Sequence, residues 1–194
     1  MVGAERARNT IAQEPRSALV TAQETNLITP EMLSWIGRKS PLSPLLIMTT
    51  SDIRRYMDAT GDRNPLWCDD ESARAAGYKG RLLPPTMVGW VPFSIRENPD
   101  GSSAEAPDLR RQVPVPKNFT NLRNAGSETE WLKPVYPDEQ LSTQSCLVDI
   151  VARQGRAGWG IYITEEEQIL NTDGDIVMRR RHTMAMFAET KLTN

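Results

Sequence analysis

A chain of 194 residues that is 39% hydrophobic and 25% charged is most simply one soluble domain with tails, and it has enough apolar material for a single core. A net charge of -2 and a pI near 5.6 argue against nucleic acid as the partner. Two cysteines, Cys68 and Cys146, with no CxxC or Cys/His cluster argue against a metal site and fit a reducing cytoplasm. No stretch approaches the ~20 apolar residues of a membrane span.

Residues 1–26 are polar and aperiodic, which predicts a flexible tail or docking arm ahead of one domain over 27–194. Thr29-Pro30-Glu31 is a helix start, with Thr29 as N-cap and Pro30 in the first turn; the helix is expected to run to Trp35 and stop at Gly37. The apolar run 45–48 suits a buried strand. Thr50, Ser51 and Asp52 then offer cap chemistry for a helix whose apolar positions are Ile53, Tyr56, Met57 and Thr60. Gly61 can end it in a left-handed conformation, and Tyr56 and Met57 are expected in the core. A short helix is predicted over 70–76, closed by Gly77. Pro84 and Pro85 can open a buried helix, since its first N–H groups are unpaired in any case. Residues 97–116 are rich in Pro, Ser, Asp and Arg and suggest a long excursion.

From Gly126 onward the pattern changes to strands, expected over 128–133, 140–153, 159–170 and 176–187. Turn signals separate them, clearest at Tyr136-Pro137-Asp138-Glu139, at 154–158 and at Asn171-Thr172-Asp173-Gly174. In the last strand Ile176, Met178, Arg180, His182, Met184 and Met186 share a face. The basic run Arg179-Arg180-Arg181 therefore alternates between faces, which suits a solvated edge. Early helices and long late antiparallel strands predict an α+β domain.

Three segments carry a family resemblance. Residues 56–69, Tyr-Met-Asp-Ala-Thr-Gly-Asp-Arg-Asn-Pro-Leu-Trp-Cys-Asp, put Asp62 and Asn64 on a loop directly after a helix. Residues 73–86 end in Leu-Leu-Pro-Pro-Thr, and residues 126–135 read Gly-Ser-Glu-Thr-Glu-Trp-Leu-Lys-Pro-Val. Together they resemble the MaoC-like dehydratases and (R)-specific enoyl-CoA hydratases, and within them the N-terminal-type, fatty-acid-synthase-like dehydratase domains. The resemblance implies a hot-dog fold, an antiparallel sheet wrapped around a central helix. It also implies reversible hydration of a 2-enoyl-CoA, with the CoA thioester as substrate and no cofactor. The Asp of the loop and a His five positions later would activate water. A backbone N–H at the start of the central helix would hold the enolate charge. In this sequence that N–H falls at Thr86 or Met87, because Pro84 and Pro85 have none.

The sequence departs from the family where the chemistry lies. Trp67 stands at the His position and exchanges no protons. Asn124, just before Gly126, falls where many relatives carry a second His. The one histidine, His182, is late in the last strand and suits a structural role. Of the implied catalytic set Asp62 and Asn64 remain, and Trp67, Thr86, Met87, Asn124 and Gly126 are the implied substrate-binding positions. Each has a plainer alternative. Asp62 is a general base or a turn cap; Trp67 is an acyl-pocket wall or core. Glu128 and Glu130 are paired carboxylates or an exposed strand edge. Lys79, Arg81 and Arg123 meet CoA phosphates or water.

Three functions follow as expectations. The first is a hydratase/dehydratase subunit that lacks the His, shapes the acyl pocket and works with a second hot-dog subunit, as a homodimer or heterodimer. The second is a self-sufficient hot-dog enzyme using Asp62. The third is a non-catalytic acyl-CoA-binding module. A lone monomer is not expected, because an open hot-dog sheet edge is normally paired or covered.

Overall fold

The computed structural model describes residues 27–90, 108–156 and 158–188. The expected tail over 1–26 and most of the 97–116 excursion lie outside them. The helices are α1 (Pro30–Leu33), α2 (Thr50–Thr60), α3 (Pro65–Cys68), α4 (Asp70–Ala75), α5 (Pro85–Trp90) and α6 (Leu109–Gln112). The strands are β1 (Ser43–Pro44), β2 (Phe119–Trp131), β3 (Ser142–Gly155), β4 (Gly158–Leu170) and β5 (Ile176–Ala188). All pair antiparallel in the order β1-β3-β4-β5-β2. This is the curled sheet of a hot-dog fold.

Local chemistry explains the helix ends. Thr29 caps α1 by accepting the Met32 N–H at 3.1 Å. That helix is shorter than expected: after Ser34 the backbone tightens to three-residue bonds such as Trp35 N–H to Met32 O, and Gly37 turns it at φ 87°. The N-cap of α2 is Thr49, one residue before the expected group. Asp52 completes a capping box by accepting the Thr49 N–H at 2.8 Å. Gly61 ends α2 left-handed at φ 71°, as its position predicts.

The run 45–48 is not a strand. Pairing of β1 to β3 covers two residues, and Gln140 Nε2 then donates to Leu45 O at 3.0 Å. Leu45 is buried, but Leu46 and Ile47 leave the sheet and stay about half exposed, at 53% and 50%. β2 begins at Phe119, well before the expected 128, because its exposed edge carries polar residues that hide the alternation.

Side chains on the helix-facing side of the sheet form two apolar groups with a polar belt between them. Arg180 of β5 donates to Gly89 O at 2.9 Å, and a side chain at Gly89 would lie 3.7 Å from Met178 Sδ, so Met178 and Arg180 face α5. Alternation then puts His182 and Met184 on the same face, and cross-strand register adds Ile169, Glu167, Glu165 and Ile163 of β4. One apolar group joins Ile53, Met57, Leu83, Met87, Val88, Ile169 and Met178. The other joins Met32, Leu109, Val113, Phe119, Leu147, Ile150, Ile161 and Ile163. Each fully buried Ile or Met contributes roughly 1.5–3 kcal/mol. Leu109 and Val113 come from the end of the expected excursion, so that part of it is core.

Candidate functional site

The loop after α2 is built by its own polar groups. Asp62 Oδ1 accepts the Asn64 N–H at 3.1 Å, and the Asp62 N–H donates to Thr60 Oγ1 at 3.3 Å. Asn64 caps α3, its Oδ1 accepting the Leu66 N–H at 3.0 Å, with Pro65 in the first turn. Asp69 repeats the device for α4, accepting the Ser72 N–H at 2.7 Å, and these hydrogen bonds hold its carboxyl below the usual range. Asp62 and Asn64 thus both hydrogen-bond backbone N–H groups of the turn. Trp67 packs beside Cys68 against the apolar group under α5. Its indole N–H is buried and finds no acceptor among the described residues.

Beside this loop lies an apolar groove of about 680 Å³. One wall is a stripe of α2 at helical spacing: Asp52, Arg55, Tyr56 and Ala59. The opposite wall is Leu46, Ile47 and Met48; Thr86 and Met87 of α5 close the inner side. Tyr56 Oη and Thr86 Oγ1 are hydrogen-bonded to each other at 2.5 Å. Tyr56 is partly buried and packs against the core as its spacing predicts, and it also lines the groove. The Met87 N–H closes a turn onto Pro84 O at 2.9 Å. Trp131 Nε1, at the end of β2, donates to Pro85 O at 2.7 Å and ties the edge strand to the start of α5.

Asn124 and Gly126 sit elsewhere. The strand from Trp131 back to Asn124 covers roughly 20 Å at ~3.3 Å per residue. Asn124 Oδ1 accepts the Gly126 N–H at 2.9 Å across a bulge in the β2–β5 register, and Gly126 takes φ 126°, which favours glycine. The structure therefore gathers Asp62, Asn64, Trp67, Thr86 and Met87 around α2 and α5, and leaves Asn124 and Gly126 apart.

His182 is placed beside that second pair. Its Nε2 lies 3.1 Å from Asn124 Oδ1, and across the strands it faces Glu165. Burial, with Arg110 and Arg180 nearby, lowers its pKa. Burial raises that of Glu165, whose Oε2 has no hydrogen-bond partner among the described residues. Arg110 of α6 is buried as well, its guanidinium forked onto Asp108 at 2.9 and 3.1 Å.

Residues 34–180 match the FAS1-like dehydratase domain region. The chain belongs to this MaoC-like dehydratase family. It is 28% identical over 151 residues to a UPF0336 protein of Saccharopolyspora erythraea, covering 78% of this chain and 88% of that one. It is 25% identical over 164 residues to a probable enoyl-CoA hydratase alpha subunit of Thermomonospora curvata; the match covers 81% of this chain and 51%, about half, of that protein. In fold it is similar to the ChsH1-ChsH2 complex from Mycobacterium tuberculosis, with a TM-score of 0.64, 22% identity and coverage of 80% of this chain and 87% of that chain.

Most other charged residues named from the sequence of this MaoC-like chain pair with a residue of opposite charge. Arg81 donates its backbone N–H at 2.9 Å and a guanidinium N–H at 3.0 Å to Asp70, whose carboxyl is held at about 2. Lys79 lies 5.7 Å from the centre of the Tyr136 ring, and Arg123 is exposed on β2. Glu128 and Glu130 are exposed on β2, opposite Arg181 and Arg179 of β5. Arg179 and Arg181 also meet Glu166, at 3.5 and 3.0 Å. Arg180 does not share their solvated face: its side chain is 12% exposed and paired with Glu167. Sequence reasoning missed Tyr56, Leu46, Ile47 and Ala59 as groove residues. The one available signal was the polar tip of Tyr56 on an otherwise apolar helix stripe.

Proposed function

We propose that this chain is an acyl-CoA hydratase/dehydratase subunit that works with a second hot-dog subunit, and that the second subunit supplies the acid–base pair. The observation that carries this reading is Trp67. It stands where the family's loop has His, it is partly buried and packs against the core, and the neighbouring Asp62 and Asn64 are occupied in shaping the loop. The fold and the loop are kept while the proton-transfer partner is absent. The groove beside Thr86 and Met87 then suits the acyl chain, and its apolar walls suit a thioester tail. Hydration adds the water oxygen to the β-carbon and a proton to the α-carbon. The partner's carboxylate and imidazole would take the water proton and return one to carbon.

Two further facts support a partner. The β2 edge runs thirteen residues with no strand beyond it among the described residues, and exposed edges of that length are normally paired. A similar solved structure is itself a complex of two chains.

The test is hydration of trans-2-enoyl-CoA by this chain alone, by a MaoC-like chain that carries both loop Asp and His, and by the two mixed. Activity is expected to rise at least about tenfold on mixing and to vanish when the partner's loop His is changed to Ala. No gain on mixing, with a complex formed, contradicts the proposal.

A further inference from the structure

We infer that the groove along α2 receives a long apolar acyl group, on the order of ten carbons, with the Tyr56–Thr86 hydroxyl pair at its polar end. The inference rests on the acyl-CoA reading above and adds which acyl class this chain selects.

Size comes first. A space of about 680 Å³ falls in the middle of the range for sites that enclose drug-sized ligands. A four-carbon acyl group would leave most of it unfilled, and unfilled apolar walls gain nothing from binding. The walls are also apolar beyond need. Leu46 and Ile47, both on the lining, remain 53% and 50% exposed. Large aliphatic side chains grouped at the mouth of a groove mark a surface that binding covers. α2 contributes the smallest side chain of its stripe, Ala59, to the lining.

Polarity comes second. Apart from Asp52 and Arg55, the polar side chains on the lining are Tyr56 and Thr86. Two hydroxyls bonded to each other use one O–H between them, so one O–H is left to give. A single spare donor at one end of an apolar groove suits one carbonyl oxygen. Asp52 is bound to Thr49 and Arg55, so it is engaged within its own helix.

The test is binding, measured by calorimetry on the full chain with dodecanoyl-CoA, butanoyl-CoA, free CoA and dodecanoate. The groove lies wholly within this chain, so no partner is needed. Dodecanoyl-CoA is expected to bind at least about tenfold more tightly than butanoyl-CoA. Ala59→Trp is expected to erase that preference; Ala59 is exposed, so the variant keeps the fold. Tyr56→Phe is expected to weaken both thioesters alike, by about fivefold. Equal binding of the two thioesters, or a preference that survives Ala59→Trp, overturns the inference and leaves the acyl-CoA reading standing. Ala59-dependent binding of dodecanoate with no binding of either thioester overturns the acyl-CoA reading instead. Binding of none of the acyl ligands overturns the inference.

Discussion

The loop over residues 61–69 and the belt across the sheet hold polar groups in opposite ways. In the loop, carboxylate and amide oxygens accept backbone N–H groups close by in sequence, near solvent. In the belt, Glu167, Arg180 and His182 meet partners far away in the chain, and Glu165 and Arg180 are largely buried. The loop spends its polarity on shape, which a neighbouring residue can partly replace. The belt depends on pairs assembled by the whole fold. Removing one member there leaves a charge without water or a counter-ion.

That contrast predicts a ranking of effects. Arg180→Ala leaves Glu167 buried beside an emptied site and is expected to cost about 3–5 kcal/mol in urea unfolding. Replacing both partners, Arg180→Met with Glu167→Leu, should recover most of that loss. If the single variant costs under ~1 kcal/mol, the belt is not a buried network.

Asn64→Ala removes the α3 cap and is expected to cost about 1 kcal/mol by the same measurement, while Asn64→Asp keeps the acceptor and the stability. A cost near that of Arg180→Ala would erase the distinction between the regions.

The belt should also titrate. Glu165 has a folded pKa raised by burial, so the stability it gives is full below its usual value of 4.5 and is lost as pH rises through the folded value. Glu165→Gln should therefore flatten the fall of stability with rising pH and leave the variant more stable than the wild type at pH 8. His182 acts in the opposite sense. Its folded pKa is lowered, so stability falls as pH drops below 6.5. As the only histidine, it gives one imidazole signal by NMR, and a midpoint below 6.5 is expected.

The smallest effect belongs to the outer face. Glu130→Gln breaks an exposed 3.5 Å contact with Arg179 and should change stability by less than about 0.5 kcal/mol.

Much of the fold was legible because its signals are local. Pro85, Gly61, Gly77 and the turn at 171–174 each follow from backbone chemistry within a few residues, and the structure places each as expected. The strand over 45–48 was misread, because an apolar run looks the same whether it enters a core or lines a groove. Leu45 does the first, and Leu46 and Ile47 do the second. Arg180 was misread as solvated because its partner Glu167 is on another strand. At the site, Asp62 and Asn64 stood out as residue types, but their capping bonds follow from loop geometry. Tyr56 meets Thr86 thirty residues away, a pairing no spacing rule predicts.

The central claim is that this chain keeps the family's loop without its chemistry. It is tested most directly by assaying the purified chain alone on trans-2-enoyl-CoA esters, with Asp62→Asn beside it, following loss of the conjugated thioester absorbance. The account predicts no turnover above the uncatalysed rate for either protein, with both folded. Turnover by the wild-type chain that disappears in Asp62→Asn would contradict it and make Asp62 the base of a self-sufficient enzyme.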